Sequence, residues 1–321
     1  MRRILITGGT GFVGPHLVRF LKSSGTKLTV LSSGEARAKE PGVDYRCSDI
    51  RNAEEIRAVI RDTSPDHIYH LAGISSVPVS WRDPRLTLET NVIGSYNVFD
   101  AAMGLPTPPK ILNVSTSQVY APDEVALTET SRISPANPYA ASKAMAELLA
   151  VQYQRSTQGG VITARAFNHT GPGQATTFAL PSFARQLAEM EAGLRPPVLK
   201  VGNIQVRRDF TDVRDVIVAY SLLLEKGAVG EVYNVCSGRA VLLADIVKNL
   251  QKHCRVAIRI EIDSVRIRTD DVPVVVGDAS KLRSATGWSA TVPLERTMNE
   301  LLAYWRRAIQ GDTAREGARL K

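Results

Sequence analysis

The 321-residue sequence predicts an α/β fold, a doubly wound parallel sheet with a smaller, partly interleaved C-terminal lobe. Three observations predict it. Strand-like and helix-like stretches take turns through the first half. The first strand-like stretch runs straight into a glycine turn that opens a helix-like one. Beyond residue 168 the alternation loosens into helices among short strands. Alternation of this kind argues for parallel strands covered on both faces.

The elements follow in order. RRILIT (2–7) is a short apolar strand, and FVGPHLVRFLKSSG (12–25) has helical spacing and stops at Gly25. KLTVLSS (27–33) and VDYRCSD (43–49) read as strands, and NAEEIRAVIRDTSP (52–65) is a helix ended by Pro65. DHIYHLAG (66–73) is a strand, PRLTLETNVIGSYNVFDAAMG (84–104) a helix and KILNVSTS (110–117) a strand. NPYAASKAMAELLAVQYQRSTQG (137–159) is a long helix and GVITARAFN (160–168) a strand. Later, PSFARQLAEMEAG (181–193), ADIVKNLQKHC (244–254) and PLERTMNELLAYWRRAIQ (293–310) carry helical spacing. There is no internal repeat. The expected division is 1–168 for a nucleotide-binding domain and 169–309 for a ligand lobe, some segments of which return to the first domain. Residues 310–321 are a polar tail expected to fray.

Composition bounds the class. Apolar residues make up 44% and charged residues 22%, ordinary for a globular protein, and the longest apolar runs fall far short of a membrane span. The N-terminus carries no signal-peptide pattern, and Cys47, Cys236 and Cys254 show no metal spacing. A reducing cytoplasm, free thiols and no metal are expected. The net charge is +8, with the basic residues spread out and no basic-aromatic stripe. That excludes a nucleic-acid footprint and suits a small anionic ligand such as a nucleotide.

The turn TGGTGFVG (7–14) sets Gly8, Gly11 and Gly14 between strand and helix. Gly8 suits the tight turn, Gly11 the close approach of a pyrophosphate, and Gly14 the packing of helix on strand. The helix N-terminus then faces the phosphates. This is the start of a Rossmann-type dinucleotide domain. The end of its second strand selects the cofactor, because an acid there repels a 2′-phosphate. Here the sequence is LSSGEAR, with Ser32 and Ser33 as neutral donors and Arg37 nearby. NADPH is expected ahead of NADH, although two serines also cap turns. Asp49 either accepts from an adenine amino group or caps the next helix, with Ile50 packed beneath.

Tyr139 and Lys143, four apart, share one face of the long helix. A tyrosine with a pKa near 10 exchanges protons poorly at neutral pH unless positive charge stabilises its phenolate. The strand before this helix ends in STSQ (115–118), small hydroxyls and an amide.

With TGGTGFVG, HLAG (70–73), NVIGSYNVFDA (91–101), STSQVY and YAASK in this order, the chain resembles the extended short-chain dehydrogenases/reductases that act on nucleotide sugars. The resemblance implies a catalytic set of Thr116, Tyr139 and Lys143. Thr116 binds the oxygen at sugar carbon 4, Tyr139 exchanges the proton, and Lys143 holds the nicotinamide ribose and depresses the tyrosine pKa. It implies cofactor contacts from Phe12 and Val13 of the turn and from Leu71 and Ala72 of HLAG. ARAFNHTGPGQ (164–174), VGNIQVRRDFTDVRDV (201–216) and IRTDDVP (267–273) are similar to the branch that processes GDP-linked hexoses. They imply substrate contacts from Asn168, Arg208, Arg268 and Asp271, with Thr269 and Asp271 departing from that branch's pattern. Ser117 and Gln118 border the sugar. The resemblance also implies a homodimer, since the helices at 85–104 and 138–157 carry apolar residues on more than one face.

The dehydratases of this branch carry a glutamate two residues after the catalytic threonine, to remove the carbon-5 proton and protonate the leaving hydroxyl. Here that place holds Gln118, which has no useful pKa for either task. The expected activity is therefore NADPH-dependent reduction of the carbon-4 ketone of GDP-4-dehydro-6-deoxy-D-mannose to GDP-D-rhamnose. A 4-epimerase that retains NAD, a dehydratase using another group, and a non-catalytic nucleotide-sensing or scaffold protein are the alternatives.

Overall fold

In the computed structural model, Arg3–Thr7 (β1) is the strand around which the sheet is wound, its last four residues buried. The structure describes all residues except 23–24, 36–38, 123–125, 154–158, 268–271 and 320–321, and for 312–319 the helical backbone only. β2 (Lys27–Ser32) and β3 (Asp44–Cys47) extend the sheet to one side of β1. β4 (His67–His70), β5 (Lys110–Thr116) and β6 (Gly160–Ala166) extend it to the other. All of these neighbours pair in parallel. The chain reverses direction of winding between β1 and β4, so the C-terminal strand ends open a crevice there, where such sheets bind ligands.

The helices cover the two faces. α1 (Val13–Lys22) begins directly after the glycine turn and has no acidic residue in its first turn. α2 (Ala53–Thr63) is capped by Asn52, whose side chain accepts from the Glu55 amide. Asp49 therefore does not cap it. α3 (Val77–Arg82) and α4 (Pro84–Leu88) are single turns, each started by a capping side chain and a proline. α4 runs through a π-turn at Glu89–Ile93 into α5 (Gly94–Met103), so the helix expected at 84–104 carries a bulge at its middle. α6 (Pro138–Gln152) starts at Asn137, which accepts from the Ala140 amide. Side chains of α2, α5 and α6 share one core against the sheet.

The C-terminal half is interleaved. β7 (Asn168–Thr170) leads into α7 (Ala179–Glu191) and β8 (Val198–Val201). After β9 (Arg207–Asp212), α8 (Val213–Lys226) and β10 (Val232–Val235) return to the first domain, β10 adding a seventh parallel strand beside β6. α8 packs beside α1 on the face opposite α6, within one core cluster. Its sequence, VRDVIVAYSLLLEK, is buried on most sides. It therefore shows no polar stripe, and periodicity does not reveal it. The rest of the lobe comprises β11 (Ala240–Leu242), α9 (Leu243–His253), β12 (Arg259–Ile262), β13 (Val274–Val275), α10 (Ser280–Thr286) and α11 (Leu294–Arg319). β7, β9, β11 and β13 form a small sheet, and β8 pairs with β12. α7, α9 and α11 bury a separate core. Among the described residues no helix is long and apolar enough to cross a membrane, and no acid, histidine or cysteine cluster suits a metal ion.

Candidate active site

A cleft of about 910 Å³ lies over the C-terminal strand ends, between the parallel sheet and the lobe. Its floor begins at the glycine turn. Gly8 has φ +68°, and a Cβ there would lie 2.6 Å from the Ala72 backbone nitrogen. A Cβ on Gly14 would meet the Gly9 carbonyl oxygen at 2.0 Å, so α1 presses on the turn. Gly11, Phe12 and Val13 line the cleft at the start of α1. This backbone cradle, with an acid-free helix N-terminus, fits a pyrophosphate.

Ser32, Ser33, Asp49, Ile50, Leu71 and Ala72 form the adjoining wall. Ser32 donates its hydroxyl to the Gly34 carbonyl at 2.6 Å, and Ser33 is exposed. Asp49 is gripped by Arg51, whose Nη2 lies 2.6 Å from its carboxylate. That hydrogen bond holds the Asp49 carboxyl below its usual range. Ile50 is buried under α5, where a Cβ on Gly94 would lie 2.5 Å from its Cδ1. No carboxylate ends β2, so that strand end does not repel a 2′-phosphate. Arg37 lies outside the described residues.

A buried relay fixes the floor. Ser95 donates to the Asn91 carbonyl at 2.6 Å, so its oxygen accepts from His70 Nε2 at 2.9 Å. His70 Nδ1 then accepts the Thr7 hydroxyl at 2.7 Å, and Thr7 accepts from the Ala72 amide at 3.3 Å. Burial pushes His70 down to about 3, with Lys143 adding to the effect, so the ring stays neutral. The Asn91 side chain, in the π-turn, accepts from the Ile74 amide at 2.7 Å and donates to Ser142 of α6 at 2.8 Å. Bulges of this kind recur at functional sites. Asn91 and His70 sit inside longer sequence motifs and do not stand out there, because they bind Ser142 and Thr7, far away in the chain.

Thr116, Tyr139 and Lys143 come together at the cleft. All three are buried. Thr116 ends β5 and stands beside the Tyr139 hydroxyl, the one influence lowering a phenol that burial raises. Lys143 donates to the Val114 carbonyl at 2.8 Å. Burial pushes its ammonium down to about 8, opposed by Glu147 one turn further along α6. Of the protein's own groups, then, none but Thr116 depresses Tyr139. The expectation that Lys143 does so is not what the geometry gives. Tyr139 keeps its proton at neutral pH. Behind the trio, Ser115 donates to Glu147, which Arg165 clasps through Nη2 at 2.7 Å.

Ser117, Gln118 and Asn168 line the next part of the cleft. Gln118 Oε1 accepts from Asn137 at 3.2 Å. His169, next to Asn168, stacks on Phe12 with centroids 6.0 Å apart, tying the lobe to the glycine turn. Arg208 lines the cleft, but its Nη1 donates to the Val272 carbonyl at 2.6 Å and the Arg207 carbonyl at 2.8 Å. Arg266, which sequence reasoning missed, lines the same wall and donates to Ser182 at 3.3 Å. Arg268 and Asp271 lie outside the described residues.

The arrangement can bind a dinucleotide and exchange a proton at an oxygen held by Thr116 and Tyr139. Known proteins agree with it. The family described as GDP-mannose 4,6 dehydratase matches residues 5–301. GDP-6-deoxy-D-mannose reductase of Pseudomonas aeruginosa is 34% identical over 312 residues, covering 96% of this chain and 99% of that protein. GDP-6-deoxy-D-talose 4-dehydrogenase of Aggregatibacter actinomycetemcomitans is 28% identical over 287 residues, 89% and 91% of the two chains. The solved structure of RMD from Pseudomonas aeruginosa complexed with NADPH superposes with a TM-score of 0.83 at 33% identity, over 96% of this chain and all of that one. The chain belongs to the GDP-mannose 4,6-dehydratase family, within the extended short-chain dehydrogenases/reductases.

Proposed function

We propose that the protein reduces the carbon-4 ketone of GDP-4-dehydro-6-deoxy-D-mannose with NADPH, giving GDP-D-rhamnose. One observation carries the reading: a complete Thr116–Tyr139–Lys143 set stands beside an amide, Gln118, where elimination needs a carboxylate. The 34% identical reductase, with its NADPH-bound structure, supports the substrate and cofactor.

The residues divide the work. The bound cofactor supplies the hydride that becomes the new C–H bond at carbon 4. Thr116 and Tyr139 hold the ketone oxygen by hydrogen bonds. Tyr139 gives that oxygen its proton as the carbonyl becomes an alcohol; the phenol arrives protonated, as a general acid must. Lys143, one helical turn along, is assigned to the ribose of the nicotinamide. The Gly8–Gly14 turn takes the pyrophosphate, and Ser32 and Ser33 face the 2′-phosphate. The lobe wall carrying Asn168 and Arg208 is assigned to the GDP-sugar. The protein is further proposed to act as a homodimer through the exposed apolar faces of α5 and α6.

Incubation with GDP-4-dehydro-6-deoxy-D-mannose and NADPH, with the sugar identified by NMR, tests the reading. GDP-D-rhamnose is the expected product. GDP-6-deoxy-D-talose would mean that hydride reaches the other face of carbon 4, and no NADPH oxidation would overturn the reductase assignment.

A further inference from the structure

Three consecutive residues at the end of β5 each meet one residue of α6. The Val114 carbonyl accepts from Lys143 at 2.8 Å. The Ser115 hydroxyl donates to Glu147 Oε1. Thr116 stands beside the Tyr139 hydroxyl. Positions 139, 143 and 147 follow at successive turns of α6 and so share a face. Tyr139 and Lys143 line the cleft, and Glu147 lies behind them, 6% exposed.

Glu147 is held from two strands. Ser115 and Arg165 are paired across β5 and β6, and the carboxylate bridges them. Arg165 donates through Nη2 to Oε2 at 2.7 Å and through Nε to each oxygen at 3.1 Å. Its Nη1 donates to the Tyr120 hydroxyl at 2.9 Å and to the Glu129 carbonyl at 3.2 Å. Tyr120 closes the short turn Ser117–Val119, which carries Gln118. One carboxylate thus ties α6 to β5, to β6 and, through Arg165, to the segment after Thr116.

A buried ion pair adds little stability over well-packed apolar side chains of similar volume. What this pair can supply is register. Apart from Tyr139, the buried apolar residues of α6 are Ala140, Ala146 and Ala150. Alanines give a smooth face, without large ridges to lock the helix along its axis. A slip of one residue along a helix displaces a side chain by about 1.5 Å, whereas catalytic groups need placement to about half an ångström. Lys143 is a second tie, but it is assigned to the cofactor, which leaves Glu147 as the anchor with no other duty.

We propose that Glu147 is a positioning residue for the reduction: through Ser115 it pins α6 over β5 and so holds Tyr139 at Thr116. This rests on the reductase reading above. The acceptor oxygen facing Ser115 sets the register, and the negative charge serves to neutralise Arg165.

The test separates those two parts. Glu147→Gln keeps an acceptor for Ser115 but leaves Arg165 without its counter-charge. It is expected to melt lower than the parent, yet to keep kcat within about 3-fold while folded. The double variant Glu147→Met/Arg165→Met removes both charges and the acceptor. It is expected to melt close to the parent, yet to lose about 10- to 100-fold in kcat, with KM for NADPH and for the keto sugar within about 3-fold. Ser115→Ala leaves the ion pair intact and is expected to lower kcat in the same direction, again without a change in KM. A purely structural role predicts the reverse, with Tm alone responding and kcat parental in every folded variant. Parental kcat in the double variant, or in Ser115→Ala should the double variant fail to fold, overturns the assignment and leaves the reductase reading standing. Absence of turnover by the parent overturns the reductase reading, and the assignment with it.

Discussion

Asn137 donates its side-chain amide to Gln118 Oε1 at 3.2 Å while its own oxygen caps the helix that carries Tyr139. The residue standing where a dehydratase keeps its acid is thus tied to the start of the catalytic helix. The unmodified protein, given GDP-mannose and NADP⁺, is expected to form no appreciable 4-keto product, followed by absorbance in alkali. In Gln118→Glu the carboxylate can still accept from Asn137, so the fold is expected to hold. Dehydratase activity is expected to stay small, because catalytic groups need placement to about half an ångström. Robust 4-keto formation by the unmodified protein would remove Gln118 as the deciding residue.

Tyr139→Phe is expected to lower kcat by about 10²–10⁴-fold, the usual worth of a positioned general acid. Its NADPH affinity is expected to stay within a few-fold of the parent. The two measurements together separate proton delivery from folding. Near-parental turnover in a folded variant would exclude Tyr139 as the acid.

Ser33 is exposed at the end of β2, and Ser32 beside it is committed to the Gly34 carbonyl. Ser33→Asp places a carboxylate against the expected 2′-phosphate. The ratio of kcat/KM for NADPH to that for NADH is expected to fall at least about 10-fold, the effect of one lost favourable contact joined to like-charge repulsion. The parent is expected to favour NADPH. An equal or higher kcat/KM with NADH in the parent would overturn the cofactor choice.

Burial pushes the Lys143 ammonium down to about 8, from an ordinary 10.5. Between these values the unfolded chain binds the proton that the folded protein has released, so this residue makes stability rise with pH across that window. Below it, the buried ammonium is a full cost. Lys143→Met is therefore expected to lose most turnover yet raise Tm at pH 7, with a smaller gain at pH 10. Equal Tm changes at the two pH values would show that burial of the charge is not the source.

Trp81, Ile93, Tyr96, Met145, Leu148 and Val151 are exposed on α3, α6 and the helical stretch 84–103, with Leu148 at 69%. A second copy covering these faces makes the isologous contact typical of two-fold dimers. Light scattering at micromolar concentration is expected to give twice the 35.0 kDa chain mass. Leu148→Arg is expected to give the single-chain mass. A monomeric parent would mean that these side chains serve another purpose.

Much of this protein was decided locally, and that part was legible in the sequence. The glycine turn works within a few residues, Tyr139 and Lys143 lie one helical turn apart, and each strand of the first half shows its own apolar run. Repetition of those local patterns is enough to specify a doubly wound sheet. Other features exist only once the sheet has closed. His70 meets Ser95, Asn91 meets Ser142, and Asn137 meets Gln118 because parallel pairing brings distant strand ends and helix starts to one edge. Such contacts leave no period in the chain. α8 stayed hidden for a related reason: buried on most sides, it has no polar face to mark its turns. Tertiary structure also decided the electrostatics. Burial, which no residue carries in its own identity, holds the Tyr139 proton on and loosens that of Lys143.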